Sequence, residues 1–151
     1  MQDAMSIELK AVERWNAHDR EGYLALFDET FTFTDAAMGY DLVGREQFGK
    51  HFFDVWAEAY PDSQITQTLV FTDGTWICFE GRFTATHTGT FHGPEIEMPP
   101  TGKSIDGPYV WVAEIRDGKF KSARIYYDRL STLEQEGIVS LKEFAAQLTP
   151  A

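Results

Sequence analysis

The chain has 151 residues, 43% hydrophobic and 25% charged, proportions of an ordinary folded domain that exclude disordered, collagen-like and coiled-coil organisation. Thirteen Lys plus Arg against 24 Asp plus Glu give a formal charge of −11 with no basic patch, so neither nucleic acid nor an anionic membrane surface is an expected partner. The length suits a single domain over 1–151. The absence of a ~20-residue apolar run, the opening Met1-Gln2-Asp3-Ala4 without a leader pattern, and the lone Cys78 point to a cytoplasmic protein.

Met5, Leu9, Val12 and Trp15 recur at steps of four, three and three and predict a helix ending near Asn16 to His18. Asp19 then caps a short second helix that carries Tyr23, Leu24 and Phe27 toward the core. Thr30-Phe31-Thr32-Phe33-Thr34 alternates at period two and reads as a half-buried strand, followed by a loop through Gly39 and Gly44 in which Asp35 and Tyr40 lie near a cavity mouth. Phe48, Phe52, Val55, Trp56 and Ala59 predict a long helix over 45–59 that stops before Pro61.

Beyond Pro61 the pattern turns to strands. Residues 65–72 and 75–86 flank Asp73-Gly74, and 107–116 and 119–130 flank Asp117-Gly118, which predicts two hairpins with type I′ turns. Ser131 three before Glu134 and Ser140 three before Glu143 fit capping boxes, so two short helices around Gly137 close the chain. Helices first and antiparallel strands afterwards define an α+β fold with helices on one face of a sheet.

If Asp117-Gly118 is a two-residue turn with unbroken pairing, Tyr109, Trp111, Ala113 and Ile115 share a face with Phe120, Ser122, Arg124, Tyr126 and Asp128, and Glu114 meets Lys121 across the strands on the other. An Asp among aromatic rings has its charged form disfavoured, and a carboxyl raised in this way shuttles protons near neutral pH. The competing reading pairs Asp128 with Arg124 as a structural ion pair. His87 either points into a cavity and assists Asp128 or fixes a strand end. Tyr23, Phe27, Phe52 and Trp56 are core residues first and cavity wall second. Arg82 and Glu80 share a strand face and read as exposed charge. His87, His92, Glu95 and Glu97 match no ligand spacing, so no metal is expected, and no Ser-His-Asp set, dinucleotide loop or P-loop is present.

Several short motifs occur together in order: Tyr60-Pro61-Asp62, Thr86-His87-Thr88-Gly89 with His92-Gly93, Pro100-Thr101-Gly102-Lys103, Arg116-Asp117-Gly118-Lys119, and Tyr127-Asp128 followed by Leu133-Glu134-Gln135-Glu136-Gly137. In these the chain resembles the SnoaL-like polyketide (ester) cyclases of the NTF2-like superfamily. The resemblance implies an NTF2-like cone, a strongly curved and mostly antiparallel sheet wrapped around N-terminal helices and an apolar cavity, usually as a homodimer. It implies that Asp128 is the general acid/base of an aldol closure that uses no cofactor. Two departures stand out: the stretch from Pro94 to Met98 is longer than the usual linker, and Tyr126 stands where the cyclases tend to place a His.

The expected function is therefore that of a cofactor-free acid/base enzyme of the cyclase/isomerase kind, acting on a small, largely apolar carbonyl compound. Asp128 moves the proton, with His87 and Tyr126 as further catalytic candidates. Arg124 and Tyr109 join them around the substrate oxygen, while Trp111, Phe52, Trp56 and Tyr23 wall a cavity of a few hundred cubic ångströms. The alternatives are a non-catalytic ligand-binding or dimerisation module of the same fold, or a hydrolase or dehydratase in which the same Asp activates water.

Overall fold

Helix starts in this chain are set by carboxylates. The architecture is a computed structural model describing residues 3–148. Helix α1 (Ala4–Asn16) begins at Asp3, whose carboxylate accepts the Ser6 backbone N–H at 2.7 Å, and α2 (Arg20–Leu24) begins at Asp19, which accepts from Gly22 at 2.9 Å. The buried face of α1 is Ala4, Ile7, Glu8, Ala11 and Trp15, rotated from the expected stripe, and Leu9 is 42% exposed. The two alanines explain the rotation: small side chains let the helix approach the sheet closely, and Glu8 is carried in with them.

Strand β1 (Phe27–Asp35) takes Phe27 from the end of α2 and alternates as expected, with Phe31, Phe33 and Asp35 inward and Thr32 and Thr34 outward. It turns back into β2 (Tyr40–Val43). The helix expected over 45–59 is broken into α3 (Arg45–Phe48), a π-helical turn (Gly49–Phe53) and α4 (Asp54–Ala59). The wider turn accompanies burial of Phe48, Phe52 and Phe53 together.

Strands β3 (Gln64–Thr72) and β4 (Trp76–Thr86) form the first hairpin. Its turn is not type I′: only Gly74 has positive φ, and Asp73 Oδ1 accepts the backbone N–H groups of Thr75 and Trp76. A small hairpin, β5 (Phe91–His92) with β6 (Glu97–Met98), occupies the lengthened stretch. Strands β7 (Ser104–Arg116) and β8 (Lys119–Tyr127) do meet in the expected type I′ turn, with Asp117 at φ 52° and Gly118 at φ 69°. Helix α5 (Arg129–Gln135) is capped by Asp128 rather than Ser131, and α6 (Leu141–Leu148) starts where expected, with Glu143 N–H donating to Ser140 Oγ at 3.3 Å.

The main sheet runs β2-β1-β8-β7-β4-β3, antiparallel except for a parallel β1–β8 pair one strand in from the β2 edge. This is the curved α+β sheet of the expected fold. Aromatic rings fill its inner face: Phe27 stacks on Phe120 at 4.6 Å, and Phe33 lies 4.6 Å from Phe52.

Pairing between β7 and β8 shifts by one residue between Glu114 and Ile115, so Lys121 is extra on β8. Arg116 still faces Lys119, but beyond the bulge Trp111 faces Ile125 and Tyr109 faces Tyr127. Ala123, Ile125 and Tyr127 therefore turn inward, and Arg124 and Tyr126 turn outward, against the face assignment expected from sequence. The expected Glu114–Lys121 pair gives way to Glu114–Arg116 at 2.6 Å and Lys121–Asp28 at 2.5 Å.

The loop after β4 is pinned to the end of α4, where Thr88 and Gly89 both donate to the Ala59 carbonyl at 3.1 Å. A Cβ on Gly89 would lie 1.9 Å from the Glu58 carbonyl oxygen, a backbone atom with no flexible end to yield. Gly89→Ala is expected to destabilise the protein by about 3 kcal/mol in urea unfolding, at the upper end of overpacking costs. A loss below 0.5 kcal/mol would show that the two backbones are not held together.

Candidate active site

A cavity of about 100 Å³ lies between α1 and the inner face of the sheet. It is smaller than the few hundred cubic ångströms expected, because Phe33, Phe48, Phe52 and Trp111 pack ring against ring beneath it. Tyr23 from α2, Phe52 from the π turn, Trp56 from α4 and Tyr109 and Trp111 from β7 line it, as the sequence places them. Its rim is polar: Asp128 stands there with Ser131, Thr132 and Gln135 of α5.

Asp128 is neither buried among rings nor paired with Arg124. It is exposed at the rim, and its Oδ1 accepts the Ser131 N–H at 2.9 Å as the cap of α5. Arg124 lies on the outer face, its guanidinium 5.8 Å from the Trp76 ring, and Tyr126 is 45% exposed there. Neither lines the cavity.

His87 is fully buried and does not line the cavity either. Its backbone bonds to Lys103 and Gly102, and its Nδ1 lies 3.2 Å from Thr101 Oγ1 and 3.5 Å from Glu136 Oε1. Tyr60 donates its hydroxyl to the same Glu136 oxygen. Four of the sequence motifs thus converge in one polar cluster joining the end of α4, the end of β4, the Pro100–Lys103 stretch and the end of α5. Burial and the Glu136 carboxylate both push the Tyr60 hydroxyl upward, so it stays protonated and keeps donating.

The acid that does lie in the apolar hollow is Glu8 of α1, which sequence reasoning missed. It is 4% exposed, and burial pushes its carboxyl from 4.5 up to about 8, with the Trp111 indole N–H pulling the other way. That N–H lies near enough to act on the carboxyl but outside full hydrogen-bond geometry: among the described residues neither Trp111 Nε1 nor Glu8 Oε2 has a partner at ordinary distance and angle, and Trp56 Nε1 has none either. Tyr23 and Tyr109 face Glu8 as well, and burial followed by the nearby carboxyl keeps both phenols neutral. Counting Ala4 and Ala11 into the apolar stripe with Ile7 and Trp15 would have put Glu8 at its centre.

Behind the wall, Asp35 is buried and accepts from the Tyr127 hydroxyl at 3.1 Å and from the Met38 N–H at 2.8 Å. Burial raises its pKa against these hydrogen bonds. Asp35 thereby fixes the orientation of Tyr127, a cavity residue.

The chain belongs to the SnoaL-like polyketide cyclase family, whose family model matches residues 7–136. No curated protein matches it in sequence. Among solved structures it is similar to a proposed SnoaL-like polyketide cyclase from Jannaschia sp. CCS1, with TM-score 0.78 and 22% identity over 90% of this chain and 92% of that one. It is also similar to AclR, a proposed hydroxylase from Streptomyces galilaeus, with TM-score 0.77 and 18% identity over 96% and 92%. A third is a protein of ketosteroid isomerase-like fold from Catenulispora acidiphila, solved with trimethylamine, with TM-score 0.73 and 21% identity over 95% and 97%. At these identities the structures establish the fold, and the family supports a cyclase-type role.

A carboxyl raised on folding contributes its full share of stability below its unfolded value, and that share is lost as pH rises toward the folded value. For Glu8 the window runs from 4.5 to about 8. Relative to Glu8→Gln, which has no proton to lose, the wild type should lose on the order of 1 kcal/mol per pH unit across that window, read from urea melts. Parallel stability curves from pH 5 to pH 8 would place the Glu8 carboxyl in water instead.

Proposed function

We propose that this chain is an acid/base enzyme of the cyclase/isomerase kind, acting on a largely apolar carbonyl compound whose reacting end enters the aromatic cavity while its remainder rests on the polar rim. The observation that carries this reading is the pair of carboxyls at the cavity: Glu8 sealed among rings at one end and Asp128 exposed at the rim. Two carboxyls in opposite surroundings divide naturally into a proton donor and a proton acceptor.

Asp128 uses Oδ1 to cap α5, leaving Oδ2 for chemistry. That oxygen removes the proton from the carbon next to the substrate carbonyl. In a cyclisation the resulting enolate carbon bonds to a second carbonyl carbon of the same molecule, whose oxygen takes up the proton from Asp128. In an isomerisation the proton returns at a different carbon of the enolate. Both sequences balance without an oxidant, and both need the intermediate's oxygen charge stabilised inside the cavity.

Asn caps helices as well as Asp does, so Asp128→Asn separates proton transfer from capping. Substrates come from a thermal-shift screen of apolar carbonyl compounds. The variant should keep its stability within about 0.5 kcal/mol and lose at least about a hundredfold in kcat. Unchanged turnover removes Asp128 from the mechanism. Its exposure also supports a second reading, a ligand-binding module without chemistry, which requires a ligand from the screen to bind and remain unaltered.

A further inference from the structure

We propose that the Glu8 carboxyl and the Trp111 indole N–H form a two-donor seat for the oxygen atom of a ketone, and of the enolate formed from it, at the buried end of the cavity. The proposal deepens the reading above and rests on it for the identity of the oxygen. The geometry is that of an unfilled polar site. Trp111 Nε1 and Glu8 Oε2 sit side by side in a hollow otherwise walled by rings, and neither has a hydrogen-bond partner among the described residues. Buried polar atoms are nearly always satisfied, so two adjacent orphans on a cavity wall call for a third group between them.

The chemistry of that group follows from what the orphans can give. The indole N–H donates only. Among the described residues no cationic side chain lines the cavity to keep Glu8 charged, and burial holds the carboxyl protonated below about pH 8, so it presents an O–H. The titratable groups facing it are Tyr23 from α2 and Tyr109 from β7, both held neutral by burial, and Tyr127 and Asp128 share the cavity lining with it. Two donors converge on an acceptor with two lone pairs, which a carbonyl oxygen supplies. As that oxygen gains charge in an enolate both bonds strengthen, the condition for speeding a reaction rather than only binding its substrate. Trp56 Nε1, a third orphan on the wall, would serve a second oxygen of the same ligand.

The test uses the full chain, cyclopentanone as probe, and two readouts: saturable binding by calorimetry and the infrared carbonyl band of the bound ketone. Binding to wild type at pH 6.5 should shift the band to lower frequency than in water-free hydrocarbon. Glu8→Gln, which keeps an N–H donor, should preserve most of the shift, while Trp111→Phe and Glu8→Leu should each remove part of it. Affinity in wild type should fall about tenfold per pH unit above pH 8, as the O–H donor is lost, and stay flat in Glu8→Gln.

An unshifted band in wild type, an identical band in Trp111→Phe and Glu8→Leu, or no saturable binding would each overturn the seat. So would tetramethylammonium binding more tightly than the ketone, which would make Glu8 an anionic partner for a cation in an aromatic cage. If Glu8→Leu fails to fold, Glu8→Gln and Trp111→Phe still decide the matter. Run in the Asp128→Asn background, the same band tests the seat apart from turnover, so failure of the catalytic reading and failure of the seat give different results.

Discussion

A strand has a side-chain period of two, so one extra residue decides the facing of everything beyond it. Lys121 is that residue in β8. With its bulge, Ile125 and Tyr127 reach the cavity wall and Arg124 and Tyr126 are turned to the outer face. Lys121 is held in its bulged place by Asp28 of β1 at 2.5 Å, and the hydrogen bonds of Asp28 to Lys121 and Thr30 hold its carboxyl well below the usual range. The bulge also sits beside the step in the parallel β1–β8 register between Phe27 and Thr32. The cavity wall is thus set at a point remote from it: shifted by one residue, β8 would turn Arg124 and Tyr126 to the inner face in place of Ile125 and Tyr127.

The motifs that carry the family resemblance divide into two physical groups. Tyr60, His87 and Glu136 meet in a sealed cluster that lines no part of the cavity, and Gly89 allows the β4 loop to touch the end of α4. Their work is to fasten α5 against the sheet, which in turn places Ser131, Thr132 and Gln135 at the rim. Asp128 belongs to both groups, capping the fastened helix with one oxygen and facing the cavity mouth with the other side of its carboxyl. A residue at the junction of a helix start and a strand end is rigid on both sides, which suits a group that must meet a substrate atom at fixed geometry.

Local signals in the sequence were the reliable ones. The Asp19 cap, the Phe31/Phe33 alternation and the Asp117-Gly118 turn each depend on residues within a few positions of one another, and each forms as read. The aromatic wall from Tyr23 to Trp111 was legible because large rings at regular spacing have few other places to go. The face assignment of β8 failed because it depends on partners distant in sequence. Nothing about Lys121 marks a bulge until Asp28 lies beside it, and the parallel β1–β8 pairing joins segments about ninety residues apart. The Asp73-Gly74 hairpin looked identical to its successor, yet side-chain acceptance by Asp73 stabilised a different turn. The buried face of α1 departs from the expected stripe because Ala4 and Ala11, small and weak as hydrophobic signals, form its close-packing side.

Glu8 is best understood against the other buried carboxyls of the described chain. Asp35 accepts a phenol and a backbone N–H, and Glu136 accepts the Tyr60 hydroxyl beside His87, so each is held by protein donors. Glu8 and Glu136 each keep one oxygen without a hydrogen-bond partner among the described residues, but Glu8 alone of the three lines the cavity and accepts no hydrogen bond from the protein that meets ordinary geometry. Leaving a buried polar group unsatisfied costs about 1–3 kcal/mol, and an apolar side chain on that face of α1 would avoid the cost entirely. Protein donors hold Asp35 and one oxygen of Glu136, whereas Glu8 faces the cavity. A ligand oxygen that accepts a hydrogen bond from the protonated Glu8 carboxyl would offset that cost, which is why the proposed seat accounts for an acid on this face of α1.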